Sequence, residues 1–435
     1  MASRRYVVLL LLVASLVGAL VTGRSLFFNL FYVWLVLVVI AAVWTWTSLG
    51  KVRLTRHTHT LRAQTGQLFE ERLVVHNDSR LPKLWLEVRD HSDLPGHEAS
   101  LVVVSLDAGQ ERAWIVRTLC LRRGRFRLGP LTLTSGDPVG LFQASRNIVQ
   151  TASVVVYPLT VNLLNFSLPV GLLTGGDALR RRTHYVTANA ATVRDYAPGD
   201  ALNRIHWRST ARRDRLMVKE FELDPQADVW LFLDGDGAAQ AARPAPQPVF
   251  KVSDQWWEAL GELQHASVLP PSTEEYAVSA AASLAQYFIR RDRAVGLVAF
   301  GKTREVIQPD RGERQLTRLL ETLAVFQAKG RVPLGEALVL EGSYLPRGTT
   351  TILITASRDL RWVVEIQALK RRGLRVVTVV LDPSTFSESS ARVPSNAHLA
   401  DTLWAMNIPT YRVKDGDDLA VALARAAPAA ERYER

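Results

Sequence analysis

Two uncharged apolar runs near the N-terminus constrain this 435-residue chain more than any other feature. Tyr6 to Thr22 carries no charge, and Leu26 to Trp46 carries none again, with Gly23-Arg24 interrupting them. A helix rises ~1.5 Å per residue, so runs of about 17 and 21 residues span most of a ~30 Å hydrocarbon layer. A signal peptide is the competing reading, with Arg4-Arg5 as its basic end and Ala14 to Ala19 near a cleavage site. A second, longer apolar run following at once favours a helical hairpin instead. Trp34, Trp44 and Trp46 suit an interfacial belt. Arg4 and Arg5 precede the pair, Arg24 sits in its turn, and Lys51, Arg53 and Arg56 follow. That bias predicts a two-pass plasma-membrane protein whose N-terminus and soluble domains are cytoplasmic.

Beyond residue 50 the pattern changes twice. From Lys51 to about Pro158 it is all-β, with short alternating segments at Glu71–His76, Leu84–Asp90, Leu101–Leu106 and Trp114–Leu121. Turn clusters such as Asn77-Asp78-Ser79 and Asp107-Ala108-Gly109 separate them, which predicts a small sandwich. Cys120 is the one cysteine, so no intramolecular disulfide or multi-cysteine metal site can form. It sits in an apolar alternation and reads as a core residue. Residues 159–227 form a connector. From 228 to 435 strands alternate with helices: Val229–Leu233, Glu274–Arg291 behind a capping box at Ser272-Thr273-Glu274-Glu275, Ala294–Phe300, Arg311–Gln327, Thr350–Thr355, Leu360–Arg372, Arg375–Leu381 and Thr410–Val413. That rhythm predicts a doubly wound, largely parallel sheet. The expected fold is therefore multidomain α+β: a transmembrane hairpin (1–50), a β-sandwich domain (51–158), the connector (159–227) and an α/β domain (228–435).

The connector ends in the most informative stretch, Thr192 to Phe221. Tyr196 precedes a turn, Pro198-Gly199-Asp200, and His206-Trp207 follows. Arg204, Arg208, Arg212, Arg213, Arg215 and Lys219 then stand against a lone acid, Asp214, before Glu220. A charge run of this kind is ordinarily a solvated face. Trp207 inside it argues for a built surface, because a large apolar ring is costly to leave in water. Arg204, Arg208 and Arg212 lie four apart and line one face if the segment is helical. Arginine forks suit bidentate contacts with carboxylates.

These residues resemble the signature of the bacterial family called domain of unknown function 58, roughly R-x-Y-x-x-G-D-x-x-R-x-I-x-W-x-x-x-A-R. Arg194, Tyr196, Gly199, Asp200, Ile205 with His206, Trp207, Ala211 and Arg212 meet it, and Arg204 stands one place past the arginine position, which Asn203 holds here. The motifs R-x-G-x-F-x-L-G-P at Arg122–Pro130 and D-P-x-G-L-F at Asp137–Phe142 extend the likeness. The order of the last domain resembles a von Willebrand factor type A domain. The resemblance implies a partner: such proteins are commonly encoded beside MoxR-type AAA+ ATPases and are thought to act with them in maturing other proteins at the cell envelope.

In a von Willebrand type A domain, a D-x-S-x-S loop, a threonine and an aspartate hold a metal at the carboxyl ends of the strands. Here Asp234-Gly235-Asp236-Gly237-Ala238 lacks both serines, Gly330–Leu334 lacks the threonine, and Ala356 and Ser357 replace the last aspartate. Asp234 and Asp236 remain as weak metal candidates, and no cofactor is expected. A hydrolase built on Asp200, His206 and Asp234 is the enzymatic alternative, and a purely structural membrane protein is the other. No G-x-S-x-G, H-E-x-x-H, cysteine dyad or phosphate loop supports catalysis or a small-molecule substrate. The net charge of +11 admits nucleic acid, anionic lipid or an acidic protein. A membrane-tethered chain already has an anionic leaflet beside it, so no nucleic acid is expected. The expected role is that of a non-catalytic, membrane-anchored interaction protein.

Overall fold

The computed structural model describes residues 2–163, 166, 190–197, 205–221, 228–244, 269–387 and 394–424. They fall into two compact units, divided after Tyr157.

The first unit begins with α1 (Ala2–Thr22) and α2 (Ser25–Ser48), which pack against each other as a hairpin. Both are long and apolar enough to cross a membrane and are little buried within the protein, which points to membrane anchoring. Ten strands follow: β1 (Val52–Thr58), β2 (Arg62–Gln64), β3 (Leu68–Asn77), β4 (Lys83–Asp90), β5 (Leu101–Leu106), β6 (Glu111–Leu119), β7 (Gly124–Leu128), β8 (Leu131–Gly136), β9 (Gln143–Ile148) and β10 (Ala152–Tyr157). They form three sheets, ordered β1-β3-β6, β5-β4-β8-β9 and β2-β10-β7. The first two are antiparallel throughout and share one core. Leu54, Leu73, Val75 and Val116 from one sheet meet Leu86, Val88, Val103, Leu131 and Leu133 from the other. Period-two alternation makes this possible, since every second side chain turns inward.

The second unit holds a hairpin of β11 (Ala190–Asp195) and β12 (Met217–Phe221) and a six-stranded sheet. The sheet strands are β13 (Val229–Asp234), β14 (Val295–Phe300), β15 (Arg304–Asp310), β16 (Thr350–Thr355), β17 (Arg375–Leu381) and β18 (Thr410–Val413). Their order is β15-β14-β13-β16-β17-β18, parallel except for β15 at the edge. Helices α4 (Thr273–Ile289), α5 (Glu313–Val325) and α9 (Leu419–Ala424) pack on one face through Leu231, Leu233 and Ile352. Helices α6 (Leu334–Gly342), α7 (Arg361–Arg371) and α8 (Ala397–Ala405) pack on the other through Trp230, Phe232 and Leu353. Central strands buried on both faces read as unbroken apolar runs.

Some expectations need correction. The predicted capping box on α4 is not made, because Ser272 gives no side-chain cap bond. Thr273 ties the helix start instead: its hydroxyl donates to Gln240 Oε1 at 2.6 Å and accepts from Ala241 N at 3.0 Å. Strand β15 and helices α6, α8 and α9 were not expected. β15 mixes charges with Pro309 and alternates only weakly, as an edge strand can. Gly330–Leu334, read as a loop, runs straight into α6, with Pro333 as its N-cap. Much of the 159–227 connector lies outside the described residues.

Candidate functional site

The signature folds around the hairpin of β11 and β12. His206 N donates to Met217 O at 2.7 Å, Tyr196 N donates to Leu216 O at 2.9 Å, and Ile205 bridges Val218. Between the strands stands a short helix, α3 (Trp207–Arg213). His206 caps it: its Nδ1 accepts from Ser209 N at 3.2 Å and lies 2.7 Å from Ser209 Oγ. Asp214, in the left-handed region at φ 52°, ends it. The Thr210 hydroxyl accepts from Met217 N at 3.0 Å and ties the helix to β12.

Ile205, Met217 and Val218 are buried beneath this helix, yet no residue of the helix itself is buried. Trp207 is 67% exposed. Arg208 and Arg212, one helical turn apart, are exposed as well, and Arg212 and Arg213 occupy the last turn, where a cation complements the helix dipole. Arg215 pairs with Asp195 at 3.2 Å across an exposed surface. Of the predicted arginine face, Arg208 and Arg212 lie on this helix. Gly199, Asp200 and Arg204 lie outside the described residues, and Arg194 sits on β11 opposite Val218.

The second candidate, Asp234, ends β13, and Thr355 ends the neighbouring β16. The strand order reverses between them, and open α/β sheets place ligand crevices at that reversal. Thr355 Oγ1 donates to Asp234 Oδ2 at 2.6 Å, and Asp236 N donates to Oδ1 at 3.0 Å. Asp234 is 3% exposed, and burial pushes its carboxyl up to about 6 despite both bonds. The Asp236 Oδ1 accepts from Ala238 N at 3.0 Å. The loops beside it press together: a Cβ on Gly235 would stand 2.1 Å from Phe300 O, and one on Gly301 would stand 2.3 Å from Gln327 O. A hard cation wants several ionised oxygens. Asp234 and Asp236 gather no third carboxylate or histidine among the described residues, and one of the two holds its proton to about pH 6. This donor set does not fit a magnesium ion.

A third cluster, in the first unit, was not foreseen. Arg56, Glu71 and Asp90 occupy inward positions of β1, β3 and β4, continuing the rows of Leu54, Leu73 and Val88. Arg56 Nε lies 3.1 Å from Glu71 Oε2, and its Nη2 lies 2.8 Å from Asp90 Oδ1. His97 Nε2 lies 3.0 Å from Glu71 Oε1 and 3.3 Å from Asp90 Oδ2, while its Nδ1 meets Thr118 Oγ1 at 2.7 Å. None of the four side chains is more than 3% exposed. Burial alone lowers the imidazole pKa, but bonds to Asp90 and Glu71 outweigh it and hold it above its ordinary value. Asp90 is likewise raised by burial, then brought down to about 2 by His97, Ser92 and Arg56. With the imidazole protonated, two cations balance two anions. The sequence signal was charge at inward positions of apolar strands, which few solvent-exposed strands show.

The profile of the family described as protein of unknown function DUF58 matches residues 192–243. An uncharacterized protein, YeaD of Bacillus subtilis (strain 168), is 21% identical over 404 residues, covering 89% of this chain and 90% of that one. Among solved structures, the CARDB domain of PF1109 from Pyrococcus furiosus covers 24% of this chain and 94% of its own at 14% identity and a TM-score of 0.17. Proximal thread matrix protein 1 from the mussel byssus covers 46% of each chain at 11% identity and a TM-score of 0.27. Overlaps this small carry no argument about fold or function.

Proposed function

From the premise that this chain is a DUF58-family protein, we propose that it is a membrane-anchored, non-catalytic docking protein. Its α3 surface receives an acidic partner, for which the family resemblance suggests a MoxR-type AAA+ ATPase acting in maturation of other proteins at the cell envelope. One observation carries the proposal: Trp207 stands 67% exposed on a helix with no buried residue, flanked by Arg208 and Arg212. A ring held in water beside paired guanidinium groups is an anchor awaiting a surface, since buried aromatics and arginines supply most of the energy of protein contacts. An intramolecular brace would have buried it.

The basic residues flanking the spans support a topology in which the N-terminus and both soluble units are cytoplasmic. The strand order, with its antiparallel edge, supports a von Willebrand type A reading of the last domain, with a metal loop that has lost its ligand set. Catalysis has little support: His206 Nδ1 is spent on a helix cap, and Asp234 is sealed against Thr355. The proposal is tested by capturing a purified MoxR-type ATPase on the full chain in detergent. Trp207→Ala and the Arg208→Ala/Arg212→Ala pair should each weaken capture. Undiminished capture by both refutes the docking role.

A further inference from the structure

The D-P-x-G-L-F motif, Asp137–Phe142, has no part in the docking surface. It joins β8 to β9, the strands that pack beside α2. The Asp137 side chain is 2% exposed and folds the loop around itself, accepting from Val139 N at 3.0 Å, Leu141 N at 3.1 Å and Phe142 N at 2.6 Å. Gly140 takes φ 77°, which a side chain disfavours, and Leu141 is buried. This rigid tip turns an apolar residue outward, for Val139 is 43% exposed.

The tip lies at the end of the membrane spans. A Cβ on Gly140 would sit 3.8 Å from Arg4 Nη1, at the start of α1. No free linker separates the spans from the strands. Lys83 Nζ donates to Thr47 O at 2.7 Å and so caps the C-terminus of α2. Leu49 packs on the sandwich core, and Arg146 bonds Val52 O. The depth of the tip is thereby tied to that of Arg4 and Trp46, the latter 84% exposed in the last turn of α2. Tryptophan and arginine at the ends of spans mark the headgroup layer. Arg4, Arg5 and Lys51, all exposed, make that level cationic.

We propose that the Asp137–Phe142 loop is a rigid foot that rests Pro138 and Val139 in the phospholipid headgroup layer and fixes the β unit on the bilayer. This rests on the membrane-anchoring reading and deepens it. The occupant is the bilayer because the loop is continuous with the ends of the spans.

The wild-type thiol is buried, Cys120 being 1% exposed, so Val139→Cys supplies a single reactive site for a nitroxide. His59→Cys is the aqueous control. It lies past the far end of β1, about 20 Å of strand from the helix exit at Val52. The full chain is reconstituted in phosphatidylcholine vesicles containing phosphatidylglycerol, and collisions with oxygen and with a neutral nickel chelate are compared. A several-fold higher oxygen-to-nickel ratio at 139 than at 59 is expected. Equal ratios overturn the foot and leave the anchor standing. Shielding of 139 from both agents overturns it in favour of a protein covering. Release of the chain by carbonate defeats the anchoring reading, and the foot with it.

Discussion

His97 Nε2 stands 3.0 Å from Glu71 Oε1 with both side chains closed to solvent. A neutral imidazole donating through Nδ1 to Thr118 would present a lone pair to two carboxylates. The protonated ring instead donates to both, and Arg56 completes a neutral buried set. Breaking such a set by removing one partner costs about 3 to 5 kcal/mol, because a charge is left unpaired in a dry site. Glu71→Gln should therefore lower the melting temperature of the first unit sharply, as measured by circular dichroism or calorimetry. A melt within a degree of wild type contradicts the charged assignment.

The same group sets a pH dependence. The folded pKa of His97 lies above its unfolded value, so its stabilisation is complete below about 6.5 and is lost as pH rises through the folded value. Asp90, held down to about 2, works the other way: its contribution is present above the unfolded value near 3.8 and is lost on acidification toward 2. Melting of the first unit should fall on both sides of an optimum near pH 5 to 6, the range between these two limits. His97→Gln should lower the melting temperature at pH 5 to 6 and remove the alkaline dependence.

Asp234 should respond in the opposite sense to an ordinary surface aspartate. Its pKa of about 6 exceeds the unfolded value of 3.8, so the second unit loses stability as pH rises through that window. The loss amounts to about 3 kcal/mol at most, at 1.36 kcal/mol per pKa unit. Asp234→Asn keeps an acceptor for Thr355 and removes the charge. It should melt higher than wild type at pH 8 and no higher at pH 4. Loss of a hydrolytic activity in this variant, with the fold intact, would revive the enzymatic reading.

Cys120 is 1% exposed and its thiol is pushed up to about 12 by burial. A thiol reagent at pH 8 should leave the native chain unmodified and label one equivalent after denaturation. Native labelling would contradict the core placement.

The architecture was legible where one period dominates. The two apolar runs, the strands at Leu101–Leu106, Thr350–Thr355, Arg375–Leu381 and Thr410–Val413, and the burial of Cys120 follow from hydropathy and spacing alone. The short α6, α8 and α9 are held by tertiary packing and carry too few turns to announce themselves. The buried quartet was hidden for a different reason: Arg56, Glu71, Asp90 and His97 come from distant positions, and only strand register makes them neighbours. For the signature, the sequence located the residues, but whether Trp207 faces a core or the solvent depends on a hairpin whose strands lie more than 20 residues apart.

Trp207 also separates docking from bracing most directly. At 67% exposure its loss should change stability by no more than about 0.5 kcal/mol. The deciding measurement is equilibrium binding of the full chain in nanodiscs to a purified MoxR-type ATPase, with the melt of each variant recorded alongside. The account predicts that Trp207→Ala weakens binding several-fold at an unchanged melting temperature. Binding as tight as wild type, or a collapsed melt, would contradict it.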